Sequence, residues 1–409
     1  MRITFLQPYL ATKPLTRKYY NIQAFGLATK LVKLGHEVTI LTSNPAISDG
    51  NAGIKRLCRM EEVINGFKVV YLPALGDPFG RPLLPTLCRE ILLTKPDVVQ
   101  CAETGQIATF VALLMCKLMR KPCIVYQGMY RTDMSHKFLR TLYHKTVGRI
   151  LFSYTDMFIC KSTAAKEFVL SYGTHPKRTI VIPVGLARES YRRVEPITLE
   201  KYTGGRRAEK VLLSVARLVP EKGLDTAILA VKEVVSEFPD VVYLIVGSGS
   251  QFPELSKLIK DNGLEGNVFI YTKPVPKEDM KLLYSSAYLY LIPSTYEIFN
   301  MTMIEALACG CPVIASREGG MRDVVKHGEF GFLFEKRNKS ALAEYIKVLL
   351  KDEKKRNGFS KAAEKAMDDY DWSVLARKFD DVYKQLVRRE GQNDWSFLLS
   401  LVFLGLLSV

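Results

Sequence analysis

Short apolar runs alternate with stretches of helical spacing through the first half of this sequence, and that alternation admits few folds. Runs at 3–7, 37–42, 68–72, 98–101, 123–126, 157–160 and 179–182 read as strands. Between them, 20–34, 107–119, 135–152 and 163–172 carry apolar residues at three- and four-residue steps. Strands alternating with helices predict an α/β architecture, a parallel sheet doubly wound by helices on its two faces. Ligands of such sheets sit beyond the carboxyl ends of the strands. Here those ends bring Pro8 onward, Glu103-Thr104-Gly105 and Gln127-Gly128 to one edge. A chain of 409 residues exceeds one ordinary core, so two domains are expected, over 1–187 and 207–372. The charged stretch 188–206, with its Gly204-Gly205 pair, suits the linker between them.

The second half is organised around 293–320, PSTYEIFNMTMIEALACGCPVIASREGG. A helical pattern runs from about Phe299 to Ala308; Gly310 ends it and Pro312 forbids its resumption. Glu297 stands just before the first turn, and Glu305 lies two turns on in an otherwise apolar helix. Free amides at the helix start suit a phosphate. A buried carboxylate at Glu305 needs a partner such as a hydroxyl. Spacing alone equally allows a surface loop, a core helix and two incidental acids.

This stretch resembles the E-x7-E segment of the retaining glycosyltransferases of family 4, with Glu297 and Glu305 on its two glutamates. The likeness continues through ALACGCPVIAS and GGMRDVV…GEFGFLF to about Phe334. It implies the GT-B fold, two Rossmann-like domains with a cleft between them, and transfer of a sugar from a nucleotide diphosphate donor to a hydroxyl. In VLLSVARLVPEKGLDTAILAVKEV, Arg217 and Lys222 flank a strand-to-helix loop. Two basic residues in a loop are ordinarily just solvated; the resemblance makes them the holders of the donor diphosphate. Gly247 and Gly249 fall on the nucleotide domain's second loop, and Phe299 and Asn300 on the helix start, with Asn300 in place of a common glycine. Asn tolerates unusual backbone angles, which suits that exchange. The resemblance makes Glu297 the residue that orients the sugar and Glu305 the one that holds the ribose hydroxyls. It implies no required metal and no cofactor beyond the donor substrate. WSVLARKFDDVYKQLVRR resembles the family's closing helix (373–389), which crosses back to the first domain.

Three further places depart from the family's pattern. Lys18-Tyr19 occupy the place of a glycine pair beside donor phosphate and acceptor, where Lys18 would supply charge instead. Gln127 replaces a histidine directed at the transferred sugar, either to contact a sugar hydroxyl or merely to cap its strand. Lys273 stands where the base pocket more usually has a glycine.

The net charge of +16 is unevenly placed: residues 1–187 hold 25 Lys/Arg against 11 Asp/Glu. A basic domain suits nucleic acid or an anionic membrane surface, and with no nucleic-acid motif present the membrane is preferred. The basic, aromatic pattern of 135–152 fits either an anionic lipid surface or a solvated helix face. The apolar tail from 390 includes WSFLLSLVFLGLLSV (395–409), which as a helix reaches about 22 Å, short of a roughly 30 Å hydrocarbon core. These features point to a peripheral protein on the cytoplasmic face of a membrane, with a lipid-linked or glycan acceptor as partner. The N-terminus opens directly into a strand, without a signal peptide. Eight scattered cysteines without ligand spacing read as buried thiols of a reducing compartment. Asp369-Tyr370-Asp371 spells a D-x-D, but in a charged connector far from the phosphate loops. A non-catalytic nucleotide or lipid binder, and a GT-B epimerase or phosphorylase, stay open as alternatives.

Overall fold

The computed structural model describes residues 1–8, 22–43, 59–75, 82–131, 146 and 148–390. Lys18, the 9–21 stretch around it, most of the basic stretch 135–152 and the tail 391–409 lie outside the described residues.

Two parallel sheets form the frame. The first runs β3 (Met60–Ile64), β4 (Phe67–Leu72), β2 (Glu37–Ser43), β1 (Arg2–Leu6), β5 (Val98–Ala102), β6 (Cys123–Gln127), β7 (Met157–Cys160) and β8 (Thr179–Val181) in spatial order. Helices α1 (Gln23–Lys33), α2 (Leu87–Thr94), α3 (Ile107–Met119), α4 (Arg149–Tyr154) and α5 (Thr163–Ser171) cover it. The second runs β11 (Val268–Tyr271), β10 (Val242–Val246), β9 (Val211–Val215), β12 (Leu289–Ile292), β13 (Val313–Ser316) and β14 (Gly331–Phe334). Its helices are α6 (Leu224–Val235), α7 (Phe252–Asp261), α8 (Lys277–Ser286), α9 (Met301–Ala308), α10 (Met321–Val324), α11 (Lys339–Lys351) and α12 (Glu353–Ala366). The central strands are buried on both faces, which is why they read as unbroken apolar runs.

Sequence patterning passes over β3, and the reason is physical. Met60 and Val63 are more than half exposed, so this antiparallel edge strand carries no buried face to impose a pattern. Its signal lies in the turn instead. Asn65 and Gly66 both take positive φ, +48° and +87°, the arrangement of a two-residue hairpin.

The last helix, α13 (Trp372–Glu390), leaves the second sheet and packs on α1 of the first. Its Trp372, Leu375, Ala376 and Phe379 share one continuous core with Ala24, Leu27 and Leu31. Gly26 leaves the space for the indole: a Cβ there would lie 2.2 Å from the Trp372 ring nitrogen. Two buried polar contacts fix the register of the helix. Tyr383 donates to Gln100 Oε1 at 2.6 Å, and His36 Nε2 meets Asp380 Oδ1 at 2.9 Å.

Burial lowers the pKa of His36 below its ordinary 6.5, against the raising pull of Asp380 and alongside a smaller lowering from Lys384. The unfolded chain then binds a proton that the native state refuses, so the stability present above pH 6.5 is lost as pH falls through the depressed native pKa. Melting temperatures at pH 7 and pH 5 check this, within the usual range of about pH 5 to 8 for maximal stability. The wild type loses more on acidification than His36→Asn; equal losses overturn the assignment.

Candidate functional site

The carboxyl ends of β11, β10, β9 and β12 follow one another along the edge of the second sheet that faces the first. Beyond them opens a cavity of about 410 Å³, within the usual span of ligand sites. Arg217, Lys222, Gly247, Lys273, Glu297, Phe299, Asn300 and Glu305 all line it. Arg217 and Glu305, 88 positions apart in sequence, meet here because parallel strands deliver their ends to a single edge.

Glu297 sits between two donors. Lys222 Nζ lies 2.6 Å from its Oε2, and Asn300 Nδ2 donates to the same oxygen at 3.0 Å. Both members of the ion pair are largely buried, with 15% and 11% of the side chains exposed, so solvent screens them weakly. Arg217 is the contrast: its guanidinium is 70% exposed and meets only Glu221 at 3.4 Å among the ion pairs described, leaving it free to turn toward an anion.

Asn300 does not use the backbone tolerance expected of it. Its φ of −87° and ψ of 108° are ordinary extended backbone, and its side chain caps α9 by accepting the Met303 amide at 2.8 Å. The helix therefore begins at Met301, two residues later than spacing indicates, and the Met303 amide is no seat for a phosphate. A hydrogen-bonded chain continues from Tyr290 through Thr302 to Asn300 at 2.6 and 2.7 Å, which fixes the amide that holds Glu297.

Glu305 is only 5% exposed, and Tyr284 donates to its Oε2 at 2.9 Å. Burial holds the Tyr284 phenol well above its ordinary pKa, so the ring stays a donor. Tyr284 lies on α8, and no local sequence signal links it to Glu305. Gly247 (φ +151°) lines the cavity because the chain passes so near β9 that a Cβ would lie 1.8 Å from the Ala216 carbonyl oxygen. Gly249 is absent from the lining; it makes a similar close approach to the Leu218 carbonyl.

Gln127 takes the second of its two expected places. It is fully buried, accepts the Thr104 amide and donates to the Met129 carbonyl, both at 3.0 Å. Its polar ends are occupied in tying two strand-end loops together, so it caps its strand and does not reach the cavity. Nearby is Glu103, which sequence reasoning places at the strand-end edge without giving it a role. In the left-handed region at φ +58°, it directs its carboxylate at the Gly128 and Met129 amides (3.0 and 3.1 Å) and at Lys161 Nζ (3.2 Å). A non-glycine residue held there signals a backbone fixed by its surroundings.

Those ties hold the loop that carries Tyr130 across to the second domain. The Tyr130 hydroxyl accepts the Glu297 amide at 3.3 Å and donates to Glu318 Oε2 at 3.1 Å. The Tyr130 ring packs on Tyr296, and Arg131 stacks over the other ring at 3.8 Å. From the other side Gly319 (φ +48°) lets the chain pass under Glu297, where a Cβ would lie 1.7 Å from the Glu297 carbonyl oxygen. The D-x-D takes a structural place: Asp371 accepts the Arg188 and Ser373 amides at the start of α13. Among the described residues no group of three His, Cys, Asp or Glu side chains is spaced to hold a metal ion. Six described cysteines are buried as expected, whereas Cys88 is exposed; Cys58 lies outside the described residues.

Residues 200–366 match the family model described as Glycosyl transferases group 1, and residues 21–189 match Glycosyltransferase Family 4. Over 361 residues the chain is 23% identical to the sulfoquinovosyl transferase SQD2 of Arabidopsis thaliana, covering 85% of this chain and 67% of that one. It is 26% identical over 390 residues to the uncharacterised glycosyltransferase MJ1607 of Methanocaldococcus jannaschii, covering 91% and 95%. Among solved structures, Anabaena HepE in complex with UDP superposes with a TM-score of 0.72 at 21% identity, over 94% of this chain and all of that one.

The Tyr130 bridge has a measurable energy. A double-mutant cycle of Tyr130→Phe and Glu318→Gln in denaturant unfolding gives a coupling of about 1 kcal/mol. Additive effects would mean that the bridge contributes nothing.

Proposed function

Given that the chain belongs to the group 1 glycosyltransferases, with their GT-B fold, we propose that it is a retaining, metal-independent hexosyltransferase that takes its sugar from a nucleotide diphosphate. The acceptor in this reading is a hydroxyl of a lipid-linked or membrane-associated glycan. The observation that carries it is the buried Lys222–Glu297 pair, which lines one cavity together with Arg217 and Glu305.

The order of strand ends suits an elongated donor. Four adjacent strands span three intervals of about 4.8 Å, roughly 14 Å in all, comparable with a nucleotide diphosphate sugar laid along the edge. Thr272, Lys273, Pro274, Val275 and Lys277, after β11, then face the base, Arg217 and Lys222, after β9, the diphosphate, and Glu297, after β12, the sugar, while Glu305 on α9 takes the ribose hydroxyls. In the reaction the anomeric carbon–oxygen bond to the diphosphate breaks, and the acceptor oxygen bonds the same carbon from the same face. The acceptor's proton passes to the departing phosphate oxygen. Negative charge grows on that phosphate, where the two cations stabilise it as a metal otherwise would. The Glu297 carboxylate, fixed by Lys222 and Asn300, favours the cation-like anomeric centre. Meeting of the two domains over the site excludes water and limits hydrolysis.

Calorimetric titration with UDP-, GDP-, ADP- and CDP-sugars, without added metal, tests the donor site. One nucleotide class binds the wild type, and Glu305→Ala weakens it by about tenfold or more, the loss of one charge-assisted contact. Glu297→Gln keeps donor affinity within a few-fold while turnover falls by about a hundredfold or more. Failure of every donor to bind, or unchanged turnover in Glu297→Gln, overturns the reading.

A further inference from the structure

Helix α3 is apolar on the side where a surface helix ordinarily carries charge. Its inner face, Ala108, Ala112, Leu113 and Cys116, packs on the first sheet as amphipathic spacing requires. Its outer face carries Ile107, Leu114 and Leu118, with Val111 half-buried between them at helical spacing. Ile107 is 39% exposed, Leu114 47% and Leu118 79%. The neighbouring α2 adds Leu92 and Leu93, both more than half exposed. Single exposed leucines are ordinary; an apolar stripe along a whole helix, continued on the helix beside it, is not.

The charges around this surface are of one sign. Arg89, Lys95 and Arg120 are exposed on or just beyond the two helices, and Arg149 is exposed on α4, which packs against α3. The only acid on α2 or α3 is Glu90, which is buried and taken by Arg59 at 2.9 Å. Among other described acids near the two helices, Asp97, Glu103 and Asp156 are paired with Arg2, Lys161 and Lys117.

We propose that the outer face of α2 and α3 is the surface by which this protein docks on an anionic lipid bilayer. Leucines entering the headgroup and acyl boundary, with cations at their margin, are the two attractions that such binding combines. A second copy of the chain fits less well, since two-fold contact would set cation against cation over the same patch. Nucleic acid would use the cations and leave the leucines in water. The orientation also serves the reaction proposed above, on which this part of the argument rests. Helix α3 follows directly from the Glu103–Gln106 strand-end loop, so its first turn stands at the cleft and its last turn at the opposite edge of the sheet. A bilayer along α3 then meets the rim of the cleft at Ile107, where a lipid-borne hydroxyl enters sideways without leaving its membrane.

Flotation of the full chain with phosphatidylcholine vesicles, with and without phosphatidylglycerol, tests the proposal. The wild type floats with the anionic vesicles, and raised salt weakens it. L114E/L118E and, separately, K95E/R120E each lower the bound fraction tenfold or more while circular dichroism and melting stay near the wild type. Donor titration reports independently on the transferase reading, because none of these four side chains lines the nucleotide cavity. Undiminished flotation of both variants overturns the proposal and assigns attachment elsewhere, the 391–409 tail first. Absence of flotation by the wild type overturns it too, as does a dimer in sedimentation that L114E/L118E dissolves.

Discussion

Everything at the candidate site depends on how parallel strands end. A parallel sheet sends every carboxyl end to one edge, and the loops that leave that edge are the only parts of the frame free to vary in chemistry. Here two such edges are brought face to face. From one come Glu103, Gly128 and Tyr130; from the other come Arg217, Lys222 and Glu297. The Lys222–Glu297 pair is where that arrangement becomes electrostatic. A carboxylate this buried is tolerated because an ammonium and an amide share one of its oxygens, and the amide is itself held by a threonine and a tyrosine behind it.

The frame was legible in the sequence wherever burial on both faces left a pattern. The runs at 157–160 and 107–119 match their strand and helix residue for residue, and the closing helix was read from its resemblance to the family's last helix. The hairpin strand Met60–Ile64 was not, because an exposed edge imposes no apolar period and only its Asn-Gly turn betrays it. The helix Leu87–Thr94 was missed for a related reason, its leucines facing both inward and outward.

Site residues divide by the distance over which their partners lie. Arg217, Lys222, Glu297 and Glu305 stood out through local spacing and resemblance, and the cavity gathers all four. What a residue does once there depends on neighbours that no local pattern names. Asn300 became a helix cap, Gln127 a strap between loops, and Tyr284 the hydroxyl that a buried Glu305 required. Glu103 and Tyr130 were equally hidden, since their contacts cross from one strand end to another or from one domain to the other.

The chain passes between the two sheets twice, once after β8 and again at the start of α13. These crossings touch: the Leu186 amide donates to the Tyr370 carbonyl at 2.9 Å, and the Trp372 amide donates to the Leu186 carbonyl at 3.0 Å. A single connection would leave the domains to swivel about every axis; two laced together side by side act as a door hinge, with one axis. Two crossings tied by hydrogen bonds constrain the domains more than one connection would, and Tyr130 meets the Glu297 amide within that constraint. Registration of the two half-sites is thus tied to where the backbone crosses, outside the cavity lining that holds Lys222 and Glu297.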